Sequence, residues 1–186
     1  MDLNEGEDLT SSEEVLDVDL LKALEHGKAV SNLTYDVGKE LGLEEKKCYE
    51  LAVAGMLHDI GKLKLARYIN GNKEGSLAVE GLKYARMHAK IGYEELKKQG
   101  YSEFVLESIL YHHENYDGSG YPGNLVGDDI PLGARILRVC DMFAALRSDK
   151  SYRKAFDMDT AIEVMIDEIK NFDVKVFLAF QKVVHN

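Results

Sequence analysis

An all-α domain is what this 186-residue sequence predicts, on three observations. Apolar residues recur at i and i+4 in one segment after another. No alternating apolar and polar series is long enough to build a sheet. The one Gly/Pro-rich stretch, Asn115 to Pro131, interrupts helices rather than punctuating strands.

Residues 1–18 are polar and acidic with little periodicity, and read as an N-terminal tail or as a linker from an upstream domain. The domain itself is placed at residues 19–186. Leu33, Val37 and Leu41 mark a first helix that stops at Gly42. Leu51, Ala54, Met56 and Leu57 mark a second, Glu44 to His58. A third, Val79 to Gln99, is closed by Gly100, and Ser102 is placed to cap a fourth that runs to His113. The loop Asn115–Pro131 holds both prolines and glycines at 118, 120, 123 and 127. Structureless loops of that length inside a domain are usually functional or disordered. Pro131 suits the first turn of a helix carrying Ile136, Val139 and Phe143. Two more helices, near Met158–Ile169 and Asp173–Val183, finish the chain.

Hydrophobic residues make up 45% of the chain, enough to bury a core without staples. Cys48 and Cys140 both fall in apolar, helix-like stretches and read as buried free thiols of a reducing compartment. No run approaches the ~18 to 20 apolar residues of a membrane span, and the acidic N-terminus lacks the basic start of a secretory signal. The expectation is a cytoplasmic protein. Net charge is −10, from 33 acidic and 23 basic residues. That argues against duplex nucleic acid as a partner, since such proteins neutralise phosphates with a basic face. A small phosphate-bearing substrate stays open, because a bound metal supplies local positive charge that residue counts do not show.

The chemistry is carried by histidines. Of the six, His58 is followed directly by Asp59 and His112 by His113, each pair closing an apolar helix. Buried imidazoles and carboxylates need partners, and a metal satisfies several together. Neighbours on a helix diverge by about 100°, so His58 and Asp59 do not easily address one ion unless the helix end frays or the carboxylate bridges two. Two metals ~3.5 to 4 Å apart are a common clamp for phosphoryl chemistry, and a mixed nitrogen and oxygen donor set suits Fe, Mn, Zn or Ni better than Ca or Mg. His185 lies outside any motif. Glu114 and Asp117 read as loop-stabilising acceptors rather than ligands.

The runs His58-Asp59-Ile60-Gly61-Lys62 and His112-His113-Glu114-Asn115-Tyr116-Asp117-Gly118-Ser119-Gly120-Tyr121-Pro122 closely resemble the HD-GYP family, a branch of the HD metal-dependent phosphohydrolases. The resemblance extends from about Leu20 to Phe180. It takes in His26 with Ala29-Val30, His88 with Ile91-Gly92, and Ala134-Arg135-Ile136-Leu137 leading to Asp141. It implies an HD-type helical bundle with a long Gly/Pro-containing loop, and a hydrolase of cyclic di-GMP giving pGpG and then GMP. By resemblance the metal ligands are His26, His58, Asp59, His88, His112, His113 and Asp141, with Asp59 bridging two divalent transition metals, Fe or Mn ahead of Zn or Ni. A hydroxide held between the two would attack phosphorus in line. Asp59 and Lys62 are the implied catalytic residues, and Lys62, Lys150 and Arg153 the implied substrate contacts. Gly120, Tyr121 and Pro122 form the segment that the family associates with GGDEF-type cyclase partners, or else a pocket rim.

The sequence departs from the family at several places. Lys22 stands where three-metal members carry a glutamate, so two metals are expected. The usual Asp-Ala-Leu-Thr reads Ala144-Ala145-Leu146-Arg147, and Arg-Pro-Tyr-Arg reads Lys150-Ser151-Tyr152-Arg153. Lysine for arginine loses a planar bidentate donor set. The segment Leu65–Ile69 lacks the expected proline. None of these removes an implied ligand. Two other readings stay open: action on a different nucleotide, such as another cyclic dinucleotide, and a non-catalytic adaptor for ligand or partner.

Overall fold

The computed structural model describes residues 8–64, 77–150 and 152–185, with side chains over 20–64, 86–150 and 152–185. Helix α1 spans Asp8–Glu40. It therefore begins inside the acidic stretch expected to be a tail or linker, which is helical backbone from Asp8 onward. Neither Gly nor Pro occurs between Asp8 and Gly27 to break it. Gly42, at φ +74°, ends α1 as the sequence predicts. Helix α2 (Glu45–Leu57) follows, then a turn at His58 and Asp59 and a helical stretch over residues 60–64. The proline-lacking stretch 65–69 lies outside the described residues.

Helix α3 (Leu77–Lys98) closes at Gly100, φ +78°. Helix α4 (Glu103–Leu110) starts as predicted, with the Ser102 hydroxyl accepting from the Val105 amide. Loop 115–131 contains one 3₁₀ turn, Gly127–Asp129. Pro131 then sits just ahead of α5 (Leu132–Leu146) rather than within its first turn. Helices α6 (Met158–Asp167) and α7 (Val174–His185) complete the order, joined by a 3₁₀ turn at Ile169–Asn171. Asp157 caps α6 through the Thr160 amide at 2.9 Å, which the sequence reading missed. Among the described residues the only β pairing is an isolated bridge between Lys150 and Arg153, so the all-α expectation holds. No described helix is long and apolar enough to cross a membrane. Cys48 and Cys140 are buried free thiols, as expected.

α5 is the axis of the core. Its Ile136, Leu137, Val139, Cys140 and Phe143 join Val30 and Val37 of α1, Leu51 of α2, Ile109 of α4 and Phe177 and Phe180 of α7 in one apolar cluster. Phe143 and Phe180 meet edge to face at 5.0 Å between centroids. Each such buried side chain contributes about 1.5–3 kcal/mol.

Two close approaches set the site. A Cβ on Gly55 would lie 2.8 Å from the Ser31 Cα, so only glycine lets α2 lie this near α1. The Thr34 hydroxyl reaches across the same seam to the Leu51 carbonyl at 3.0 Å. Likewise a Cβ on Gly61 would collide with the His88 carbonyl. The glycine just after His58-Asp59 thus brings α3, and its histidine, against that turn.

Candidate metal centre

Five elements send one donor group each, or two, to a common point. His26 comes from α1, His58 and Asp59 from the turn after α2, and His88 from α3. His112 and His113 come from the turn after α4, and Asp141 from α5. The His26 Nε2 lies 2.9 Å from Asp141 Oδ1, and the His58 Nε2 lies 3.4 Å from the same oxygen. On the other side, the Nε2 atoms of His88 and His112 are 3.3 Å apart, and those of His88 and His113 3.1 Å apart. Asp59 stands between the halves: Oδ2 is 3.5 Å from His58 Nε2, and Oδ1 is 3.3 Å from His88 Nε2. The sequence-predicted ligands, from His26 to Asp141, are therefore all brought together. His185 is not; its Nδ1 bonds the Gln181 carbonyl of its own helix.

Three overlapping groups among the described residues could each hold a metal ion. They are His26, His58 and Asp59; His58, His112 and Asp141; and His88, His112 and His113, each with its donor atoms within 4.8 Å of one another. The residues fit such an ion on two counts. First, His58 Nε2 and Asp59 Oδ1 are buried with no hydrogen-bond partner, a costly state unless something binds them. Second, the imidazoles are held in the ligating tautomer. His58 Nδ1 lies 2.7 Å from the Gly55 carbonyl and His112 Nδ1 lies 2.6 Å from the Ile109 carbonyl. A carbonyl only accepts, so Nδ1 carries a hydrogen and Nε2 is the nitrogen that each of these imidazoles can give to a metal.

Electrostatics differ across the cluster. Burial opposes a charge on His58, but the carboxylate of Asp141 3.4 Å away, helped by Asp59, outweighs it and raises its pKa to about 9. Burial pushes His112 well below the usual range, and pushes His113 down to about 3. Asp141 is drawn well below a normal carboxyl despite its burial, because His26 hydrogen-bonds its charged form and His58 lies beside it.

The loop after α4 braces this wall. Glu114 is buried, and its two carboxylate oxygens accept the amides of Gly123 and Leu125, the latter at 3.1 Å. Asp117 accepts from the Ser119 amide at 2.9 Å, a local turn. Both act as the loop acceptors the sequence suggests. Of the loop's glycines, Gly118 (φ +84°) and Gly127 (φ +60°) need a left-handed backbone; Gly120 instead packs against the backbone of His113 to Asn115. Tyr121 turns inward and stacks on the His113 ring at 4.8 Å and 27°. Of the Gly120-Tyr121-Pro122 segment, only Pro122 is exposed.

The expected substrate contacts are placed unevenly. Lys62 is exposed and pairs with Asp59 at 2.6 Å, beside the cluster. Lys150 is exposed, its backbone paired with that of Arg153. The Arg153 guanidinium donates to the carbonyls of Leu146, Ala145 and Lys154 and lies over the Phe156 ring, closing the end of α5. Sequence reasoning overlooked Arg138, three residues before Asp141 on α5, whose Nε donates to Asn115 Oδ1 at 2.9 Å. Its i, i−3 spacing from a ligand was the available signal.

Residues 11–176 match the HD domain family. The chain is 37% identical over 160 residues to "Cyclic di-GMP phosphodiesterase PA4108" of Pseudomonas aeruginosa, covering 86% of this chain and 38% of that protein. It is 30% identical over 161 residues to "3'3'-cGAMP-specific phosphodiesterase 3" of Vibrio cholerae, covering 86% of this chain and 35% of that one. The chain thus spans little more than a third of the length of these relatives. Among solved structures it resembles "Bd1817, a HDG"Y"P protein from Bdellovibrio bacteriovorus", with a TM-score of 0.68 at 20% identity over 88% of this chain and 53% of that one. That likeness bears on the fold.

Proposed function

The chain belongs to the HD domain family, and from that premise we propose that it is a metal-dependent phosphodiesterase of cyclic dinucleotides, with cyclic di-GMP as substrate and pGpG, then GMP, as products. One observation carries this reading: seven nitrogen- and oxygen-donor side chains converge from five elements, with a buried atom of His26, His58 and Asp59 each left unsatisfied. The relative named for cyclic di-GMP supports the choice of substrate.

His26, His58, Asp59, His88, His112, His113 and Asp141 would hold two divalent transition metals, with Asp59 standing between the two histidine groups. Fe or Mn is the expected occupant, ahead of Zn or Ni. Lys22 is exposed and offers no carboxylate for a third. When bound, such ions supply an activated water and charge neutralisation for phosphoryl chemistry. The chain's own residues do the rest. The helix carbonyls that fix His58 and His112 orient the donors before substrate arrives. Lys62, tethered to Asp59, stands ready to exchange that carboxylate for a phosphate oxygen and offset the charge that builds there. Lys150 is exposed and available to a second part of the ligand. Pro122 and its neighbours are the candidate contact for a GGDEF-type cyclase. A cytoplasmic location belongs to the same proposal.

The relative specific for 3'3'-cGAMP favours one second reading, a different cyclic dinucleotide as substrate. Anaerobic purification, metal analysis, and turnover of cyclic di-GMP, 3'3'-cGAMP and pGpG with Mn or Fe separate the two. Cyclic di-GMP hydrolysis that Asp59→Ala abolishes is the expected result. Preference for 3'3'-cGAMP would move the substrate. No turnover with both metals loaded would overturn the enzymatic reading and leave a binding module.

A further inference from the structure

We infer that Arg138 is an anion-binding residue of this site and holds the phosphate of a dinucleotide that is not under attack. The inference rests on the proposed substrate class and goes beyond it by assigning a residue that the HD and GYP motifs do not contain.

Two arginines one turn apart on α5 make the case by contrast. Arg135 is matched twice, by Asp128 at 2.6 Å and Asp173 at 2.7 Å. Arg138 forms no ion pair among the described residues, although it is half-buried in a chain of net charge −10. Its direct contacts are neutral, Asn115 on Nε and the face of Phe172, 5.7 Å from the guanidinium carbon, while the carboxylates of Asp141 and Glu168 act on it without an ion-pair contact. Burial accordingly lowers its pKa, with Asp141 only partly compensating. A guanidinium taken partly from water without a carboxylate in direct contact costs free energy, and an anionic ligand is the partner that removes the cost.

The side chain is also pre-set for that task. The Asn115 amide donates its own Nδ2 to Ser119 Oγ at 2.9 Å, so its oxygen is fixed towards Arg138. Phe172, buried in the core, presents its ring to the guanidinium. Only Nε is used, which leaves the terminal nitrogens for a bidentate anion. Asn115 lies two residues from His113, and Tyr121 stacks on that same histidine. Arg138 therefore serves the His113 side of the cluster, whereas Lys62 serves the Asp59 side. A cyclic dinucleotide carries two phosphates, and these two cations approach the cluster through different donors, Lys62 through Asp59 and Arg138 through the loop that follows His113. The alternative arginine, Arg153, has its guanidinium committed to backbone carbonyls.

The test is a chemical cycle on metal-loaded protein, using two slowly hydrolysed analogues of cyclic di-GMP. One has charged phosphorothioates at both linkages; the other has one phosphorothioate, which the metals take, and one neutral methylphosphonate, which is left to the second phosphate position. Wild-type protein is expected to bind the doubly charged form about tenfold or more tighter by calorimetry. In Arg138→Gln that preference should collapse to within about threefold, and Arg138→Lys should restore part of it. Metal content and circular dichroism of each variant confirm the fold. A preference that survives in Arg138→Gln overturns the assignment, as does an equal loss on both ligands, which would mark a structural role. If wild-type protein binds neither form, the dinucleotide reading fails and the inference falls with it. If wild type hydrolyses cyclic di-GMP but shows no charge preference, the inference alone fails.

Discussion

The ends of α2 and α4 are the same device used twice with opposite electrostatic results. Each helix stops, the next histidine sends Nδ1 back to a carbonyl three residues earlier, and Nε2 is left facing the cluster. The residue after each histidine differs. After His58 comes Asp59, with Asp141 opposite, and the imidazole is drawn towards its charged form. After His112 comes another histidine, and burial among like groups holds both rings neutral. Backbone geometry thus fixes the tautomer, and the neighbouring residue fixes the charge. One end offers a site rich in negative charge, the other a neutral nitrogen face, joined by the two oxygens of Asp59.

Replacing the carboxylate of the charged half should have the largest effect. Asp141→Asn removes the acceptor shared by His26 and His58. Turnover of cyclic di-GMP is expected to fall roughly a thousandfold, with at least one equivalent of metal lost by elemental analysis. His113→Ala should instead empty the neutral half and spare the other. Simultaneous loss of all metal from both variants would show that the halves do not load separately.

The next effect concerns a brace that only the α4 end has. Glu114→Ala strands two backbone amides that now donate to a buried carboxylate. Loss of about 3 kcal/mol in urea unfolding is expected, with Glu114→Gln recovering part of it. A change under about 1 kcal/mol, the worth of a single ordinary hydrogen bond, would mean the loop is held elsewhere.

Acid and base should then strip the two ends in opposite order in metal-free protein. His58 has a folded pKa raised to about 9. Its contribution is complete below its unfolded value of ~6.5 and is lost as pH climbs through about 9. His113 is depressed to about 3, so its contribution is present above ~6.5 and is lost as pH falls towards that value. Urea midpoints across pH are expected to show His113→Asn flattening the acid limb and His58→Asn flattening the alkaline one. Unchanged limbs in both variants would break the comparison.

How much of this was legible in sequence depends on its range. The His-Asp and His-His pairs sit at helix ends that local patterning marks, so they could be read directly. His26, His88 and Asp141 are distant in sequence, and only resemblance joined them to the set. The carbonyl locks on Nδ1 depend on rotamers, and the inward turn of Tyr121 depends on packing against His113; neither leaves a local pattern. Arg153 was expected at substrate, but its proximity to the end of α5 gives its guanidinium carbonyls to satisfy. The helical backbone from Asp8 was not read from sequence, because acidic composition was weighed above the absence of any helix breaker.

The smallest expected effect returns to the same two helices at their other ends. Helix α4 is capped by Ser102, 3.3 Å from the Val105 amide, whereas Glu44 ahead of α2 makes no side-chain cap. Ser102→Ala should cost about 0.5–1 kcal/mol, the low end for a cap given the long bond. Glu44→Ser should add a similar amount, since α2 starts with unsatisfied amides. Both changes lie a full helix length from the donors, so thermal denaturation should register them while metal content stays constant. If metal is lost from Ser102→Ala, the His112 lock depends on the whole of α4 and not on its last turn alone, and the likeness between the two ends would then be one of appearance.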